Sequence, residues 1–354
     1  MKSINWKKIL VPVIAVVCGF LLGAIIMLAF GYHPLWGYED LFTSALGSSR
    51  SIGEVFRSMG PLILTALSFA VASRAGLFNI GMSGQALVGW VASVWFSLAN
   101  PNIARPIMIP LVIIVGMLAG ALWASVPGIL KAFLGTSEVI VTIMMNYIAL
   151  YLSTYFVHNV MNKNYLASTD KTNLVGKNAS FRTDWMADLT NNSRLNIGIF
   201  IALIAIVIIA ILISKTTLGF EIRAVGLNPH ASVYAGMSSK RIIVGSMLIA
   251  GALSGLGGVV EGMGTFQNFF VQGTSLSIGF DGMAVALLGQ SSPIGILFSS
   301  LLFSILKVGA PGMRITGIPT EIVDIVIASI IFFVGIKYVI EKFIAGPRKK
   351  GGKA

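Results

Sequence analysis

Arg74-Ala-Gly-Leu-Phe-Asn-Ile-Gly-Met-Ser-Gly-Gln85 decides how this chain is read. The stretch interrupts a series of hydrophobic segments long enough to span a bilayer. Yet it holds an arginine, an asparagine, a glutamine and three glycines. Hydrocarbon cannot satisfy irregular backbone, so a break at membrane depth must be buried in protein or line a cavity. Polar side chains there are costly and mark functional places. The stretch therefore points to a polar route across a membrane.

The surrounding composition agrees. The chain has 354 residues, of which 56% are hydrophobic and 11% charged, where a soluble domain averages about 25% charged. Mean hydropathy is +0.87. That surplus of apolar residues fits a polytopic helical membrane protein and no chain of soluble domains. The net charge of +12 follows from cationic loops facing anionic headgroups. No basic helix or aromatic reading surface accompanies it, which argues against nucleic acid as a partner. Cys18 is the only cysteine, so no intrachain disulfide can form.

At the N-terminus, Lys2, Lys7 and Lys8 precede an apolar run from Ile9 to Phe30. A signal-peptide core is about 7–15 residues long, and Gly31-Tyr-His-Pro34 is a poor cleavage site. The run reads as an uncleaved first helix with a cytoplasmic N-terminus. Spans are expected at 9–31, 59–75, 85–100, 107–124, 138–157, 197–213, 242–262, 278–290, 294–310 and 321–343, by the ~20-residue rule. The fold class is an all-α polytopic membrane protein of about ten helices, some broken, with both termini on one side. The inside would hold Lys2, Lys7, Lys8, Arg74, Lys131, Lys215, Arg223, Lys240, Arg241 and the cluster Lys342, Arg348, Lys349, Lys350 and Lys353, as the positive-inside rule requires.

Two connections are polar. Residues 158–196 form an outer insertion of mixed charge, either a small cap or contact surface or a plain solvated loop. Residues 214–241 form the second. Within it Asn228 suits an N-cap, Pro229 the first helical position and Gly236 the C-terminal cap, so a surface helix is expected over Pro229–Ala235. The following span carries Gly251 and Gly255, and Ser254 and Gly258, each pair four residues apart. Such faces let helices approach closely, within the chain or between subunits. A short internal likeness pairs Phe78-Asn-Ile-Gly-Met82 and Ala86-Leu-Val-Gly89 with Phe280-Asp-Gly-Met283 and Ala286-Leu-Leu-Gly289. One copy follows a helix running inward and the other a helix running outward, a candidate inverted repeat around a midplane site.

Four ordered blocks carry a family resemblance: Ala72 to Gln85; Lys131-Ala-Phe-Leu-Gly-Thr-Ser-Glu-Val-Ile-Val-Thr-Ile-Met-Met-Asn146; Arg223-Ala-Val-Gly-Leu-Asn-Pro-His-Ala-Ser-Val-Tyr-Ala-Gly236; and Gly279-Phe-Asp-Gly-Met-Ala-Val-Ala-Leu-Leu-Gly289 with Pro293. The chain resembles the permeases of ATP-binding cassette (ABC) importers for branched-chain amino acids, ribose and nucleosides, over about residues 55–340. Its length, long outer loop and Ser-Glu-Val-Ile block look most like the nucleoside branch. Met82-Ser83 stands where the family more often has Ala-Glu.

The resemblance implies residues 1–354 as one permease domain of the bacterial plasma membrane. It also implies a separate ABC ATPase that binds ATP and magnesium, a second permease subunit and an extracytoplasmic substrate-binding lipoprotein. No cofactor is expected in this chain. The loop 214–241 would dock the ATPase, through Gly219, Arg223, Gly226, Asn228, Pro229, Ala231, Tyr234 and Gly236. No G-x-x-x-x-G-K-[ST] motif occurs, so the energy must come from another chain.

For the site, Asn79 and Gln85 offer the donors and acceptors that a base edge and ribose need, or else Asn79 caps a half-helix. Phe78 and Phe280 can stack on a base or fill the core. Asn146, mid-span, touches substrate or glues helices. Asp281 sits in a glycine-rich break, where a pathway role or a buried cation partner is expected. Glu138 is favoured by a helix dipole alone. Arg74 snorkels to headgroups or pairs with an acid. His33, His158 and His230 lack ligand spacing for a metal. The rival readings are a sugar or amino-acid importer of the same family, and an ion-coupled secondary transporter.

Overall fold

The computed structural model describes residues 6–336. Within them the chain is almost wholly helical: α1 (Trp6–Ala29), α2 (Pro34–Leu46), α3 (Ser49–Arg74), α4 (Met82–Ala99), α5 (Arg105–Leu134), α6 (Glu138–Tyr155), α7 (Asp184–Leu189), α8 (Gly198–Lys215), α9 (Thr217–Leu227), α10 (Pro229–Tyr234), α11 (Ser239–Val259), α12 (Ser277–Leu288), α13 (Pro293–Gly309) and α14 (Glu321–Gly335). A two-stranded antiparallel hairpin, β1 (Leu166–Ser168) with β2 (Lys171–Thr172), lies in the long loop. Wide π-turns extend α6 over Phe156–Val160 and α11 over Val260–Phe266.

Eight described helices are long and apolar enough to cross a membrane, and each falls on one expected span. The other two expected spans fall on α12, a shorter apolar helix, and on α14. The polytopic all-α fold of about ten helices therefore holds. The cations of the C-terminal cluster and Lys2 lie outside the described residues.

Some boundaries differ from expectation. α3 starts at Ser49 rather than at 59. The Ser48 hydroxyl caps it by accepting from Ser51 N at 3.1 Å, and its polar first turns are paired, with Arg57 2.7 Å from Glu54. α5 continues to Leu134, through Pro127, until Gly135 ends it at φ +67°. The surface helix α10 ends at Tyr234, one residue short of the expected Ala235. α2 and α9 have no counterpart among the expected elements.

The chain forms two compact units. The first comprises residues up to Leu46 together with those from Ile305. There α1 packs along α14, with Gly19 against Ile330 and Gly23 against Val326. The Tyr38 hydroxyl donates to the Phe20 carbonyl at 2.6 Å. The second unit, Gly47–Ser304, holds the break. Its centre is α3, buried without interruption from Met59 to Ala72, as expected of a helix apolar all round.

Small residues set the helix spacing in this second unit. Gly251 and Gly255 lie against the backbone of Gly116 and Gly120 on α5, and Gly258 against that of Ala86 on α4. The small-residue face of α11 is thus used within the chain.

Candidate functional site

The break is built by two helices that turn back. α3 and α11 run antiparallel: Gly60 packs on Val260, Gly257 on Thr65, and Arg57 reaches Glu261 at 3.7 Å and Thr265 at 3.0 Å. α4 runs parallel to α11. Ser254 donates to the Met82 carbonyl at 2.7 Å, Gly258 abuts Ala86 and Gly262 abuts Trp90. α4 therefore begins level with Ser254, near the middle of the span Ser239–Phe266.

Between them, α3 continues to Arg74, the chain turns at Gly76 (φ +75°), and irregular backbone over 77–81 returns to that middle level. The far end mirrors this. α11 continues to Phe266, Gln267 takes φ 59°, and irregular chain comes back to the start of α12. The Thr65 hydroxyl lies 3.0 Å from the Ile278 carbonyl, Gly282 packs on Thr65, and Gly279 on Ser83. The Ser83 hydroxyl donates to the Leu276 carbonyl at 2.7 Å. α12 then runs alongside α3 until Arg74 Nη2 donates to the Ser291 carbonyl at 3.2 Å.

Two helices thus start together at mid-span and leave in opposite directions. Neither N-cap residue, Gly81 or Leu276, supplies a side-chain cap to its own helix. Helix N-termini carry unpaired N–H groups and partial positive charge, so the junction suits carbonyl, hydroxyl or ring-nitrogen acceptors. The inverted relation is present, but not in the register of the sequence likeness. Phe78 lies four residues before α4, whereas Phe280 lies inside α12. The likeness aligned residue types, while helix starts define the equivalent positions.

The three amides sit together. Asn79, Gln85 and Asn146 are buried. Asn79 and Gln85 exchange amide hydrogen bonds at 3.2 and 3.1 Å, and Asn79 Oδ1 also accepts from Gly81 N at 3.0 Å. Asn146 accepts from Gly84 N at 2.8 Å and donates to the Ile80 carbonyl at 3.0 Å. Thr142 Oγ1 accepts from Ile80 N at 3.3 Å. In this state the amides satisfy the backbone that the break leaves bare. Phe78 is exposed and meets Phe69 edge-on, with ring centroids 5.2 Å apart. Phe280 is exposed on α12 and Asp281 is half-buried beside it.

The sequence does not distinguish Thr65 or Thr142, and it marks Ser83 only as a departure from the family pattern and Ser254 only as a small residue. Hydroxyls are common in membrane helices, and only the packing tells which of them reach across the break.

On the face bearing residues 158–196, the long loop is clamped down. Arg182 donates to the carbonyls of Gly264 at 2.9 Å and of Thr265, which lie in the π-turns of the α11 extension. Burial first, and then the nearby Arg194 charge, lowers the Arg182 pKa from the usual guanidinium value. Val175 N, Phe181 N and Thr172 N donate to the Gln267, Met263 and Phe269 carbonyls at 2.7, 3.1 and 2.9 Å. Glu54 takes Arg194 Nη2 at 3.0 Å. Trp90 stacks on Phe266 and donates to the Asn268 carbonyl at 2.9 Å. The insertion is an integral brace for the second turn-back.

On the opposite face lies the polar segment 214–241. Asn228 Oδ1 accepts from His230 N at 3.0 Å and Ala231 N at 3.1 Å, capping α10 behind Pro229. Gly236 takes φ +83° at its end. Thr216 caps α9 through Gly219 N at 3.0 Å, and Gly219 lies against the backbone of Leu212 and Ile213. Gly226 sits against the backbone of Arg74 and Ala75, at the turn into the break. Arg223 is half-buried, whereas Ala231 and Tyr234 face outward. Leu227 is 88% and Tyr234 93% exposed, so this pair of helices presents an apolar patch that no other described residue covers.

The family model of the branched-chain amino acid transport system permease component matches residues 51–335. The chain is 65% identical to the nucleoside ABC transporter permease protein NupB of Lactococcus lactis subsp. cremoris, over 98% of this chain and 96% of the relative. It is 48% identical to the guanosine ABC transporter permease protein NupP of Bacillus subtilis, over 98% of each. It is 29% identical to the glucose ABC transporter permease protein TsgB13 of Haloferax volcanii, over 93% of this chain and 87% of the relative. No solved structure gives a significant match. With paired half-helices at mid-span and a match over most of its length, the chain belongs to this permease family: it is a membrane-spanning subunit of an ABC importer, driven by a separate ATPase and served by a substrate-binding protein.

Proposed function

We propose that the cargo is a nucleoside. The observation that carries this reading is the 65% identity, over nearly the whole of both chains, to a permease named for nucleosides, against 29% to one named for glucose. The geometry is compatible. The first N–H groups of the two helix starts are donors, and exposed Phe78 and Phe280 offer faces on which a base can stack. Asn79, Gln85 and Asn146 set the shape of the junction, and Asp281 stands beside it.

The ATPase docks on α9 and α10. Leu227 and Tyr234 form the contact, Asn228 and Pro229 hold α10 rigid, and Gly226 passes the motion to Arg74 and the break. That face, with Lys215, Arg223, Lys240 and Arg241, is the cytoplasmic one, and the expected topology makes both termini cytoplasmic. Residues 158–196 then face outward, toward a lipoprotein that delivers the cargo. A second permease subunit completes the passage in the bacterial plasma membrane. Closure of the ATPase rocks the two permeases about the mid-span junction, giving alternating access.

Uptake of radiolabelled purine and pyrimidine nucleosides, with ribose, glucose and leucine as controls, tests this in cells with and without the gene. Gene-dependent nucleoside uptake that survives an uncoupler and stops on ATP depletion is expected. Uptake of a control solute alone would keep the family and overturn the cargo.

A further inference from the structure

A crevice of about 290 Å³ opens where α3, α8 and α9 meet the turn before α13. Apolar side chains form its walls: Val71 from α3, Ile209 and Ile213 from α8, and Ile294 from α13. Arg74 and Arg223 line its polar part, and no carboxylate residue lines it. Among the described residues neither arginine is in an ion pair. Arg74 donates to the Ser291 carbonyl at 3.2 Å, which leaves most of its five donors for other acceptors. The helices on either side turn bare apolar faces outward: Val207, Ile208 and Ile211 on α8, and Ile294 and Phe298 on α13.

We propose that this crevice binds an anionic phospholipid. Its phosphate lies between Arg74 and Arg223, and its acyl chains run along Val71, Ile209, Ile213 and Ile294. Guanidinium groups match phosphate oxygens in bidentate geometry, and basic pockets between membrane helices suit anionic headgroups. An inorganic phosphate would leave the apolar walls uncovered, and so would a carboxylate from a partner protein. The position gives the lipid a consequence. Arg74 ends α3 and holds Ser291 after α12, while Arg223 stands one turn before Gly226, which touches the Arg74 backbone. A bound headgroup ties α9 to the first turn-back and to the end of α12, so coupling of ATP hydrolysis to transport depends on anionic lipid.

The complete importer, purified in mild detergent with phosphatidylglycerol and phosphatidylcholine of equal chain length, is examined by native mass spectrometry. The wild type is expected to retain phosphatidylglycerol selectively. Arg223→Gln is expected to retain about fivefold less, equivalent to about 1 kcal/mol for one cation near an anionic group. Arg223→Lys keeps the charge and recovers most of the retention, and an unchanged melting temperature certifies the fold of each variant. Equal retention of both lipids, or retention unaffected by Arg223→Gln, overturns the proposal. Displacement by excess inorganic phosphate assigns the arginines to a free anion and overturns it too. Equal lipid retention with loss of the ATPase from Arg223→Gln hands the guanidinium to a partner's carboxylate, and the lipid site is again overturned.

Discussion

The Ser83 hydroxyl donates to the Leu276 carbonyl across 2.7 Å, and this bond joins the starts of α4 and α12. The two residues are 193 positions apart in the chain. They meet because α3 and α11 each run past mid-span, turn on a residue with positive φ, and send irregular backbone back to the same level. A small hydroxyl reaches the carbonyl directly, and Gly279 leaves it room.

The junction tolerates loss of the bond better than added bulk. Ser83→Ala removes one hydrogen bond, a cost of about 1 kcal/mol, and reduces uptake mildly. Gly279→Val places side-chain carbons on Ser83 and separates the helix starts, so uptake falls to background while membrane abundance persists. Uptake normalised to abundance decides it. A fully active valine variant would remove the junction from the transport cycle.

Asn79 and Gln85 form a reciprocal pair, so removing either strands the other. Gln85→Ala is expected to cost about 1–3 kcal/mol and to lower uptake and melting temperature together. The double variant with Asn79→Ala costs less than the sum, because both partners of the bond are gone. Thermal melting of the purified complex gives the cycle. Additive losses contradict the pairing, and reduced uptake at unchanged stability assigns Gln85 to the cargo instead.

The coupling helices separate docking from transmission. Tyr234→Ala and Leu227→Ala expose no core and are expected to lower ATPase co-purification severalfold. Asn228→Ala loses a helix cap worth about 1 kcal/mol and weakens docking less. Gly226→Val drives side-chain atoms into the Arg74 and Ala75 backbone, so the ATPase still binds but uptake is lost. Loss of the ATPase from Gly226→Val, with uptake per assembled complex unchanged, would place Gly226 in the docking surface.

The long loop is held by charge-assisted bonds. Arg182→Ala leaves the Gly264 and Thr265 carbonyls without that partner, each bond being worth about 1.5–3 kcal/mol. Limited proteolysis within residues 158–196 is expected to accelerate at least tenfold. An unchanged cleavage rate would show that the backbone bonds around Phe181 and Val175 suffice.

Much of this was legible in the residues. Apolar runs near twenty residues long announced the spans, because bilayer thickness leaves few other solutions. Asn228, Pro229 and Gly236 announced α10, because capping chemistry is local. Glycine, asparagine and glutamine within Arg74–Gln85 announced a break, because lipid forbids one that is not enclosed. By itself the sequence determined the class of protein, a membrane domain of about ten helices, and where the chain departs from helix.

Tertiary packing decided what the departures are for. Only the antiparallel pairing of α3 with α11 brings Ser83 to Leu276. Only the packing of α6 on α4 brings Asn146 to Gly84 and Ile80, beside the Asn79–Gln85 pair. The register of the repeat also waited on packing, since a likeness of residue types does not locate a helix start. The brace formed by Arg182, and the crevice shared by Arg74 and Arg223, join residues far apart in the chain. Local propensity fixes backbone a few residues at a time, whereas polar groups inside a membrane protein take whichever partner the fold brings within about 3 Å.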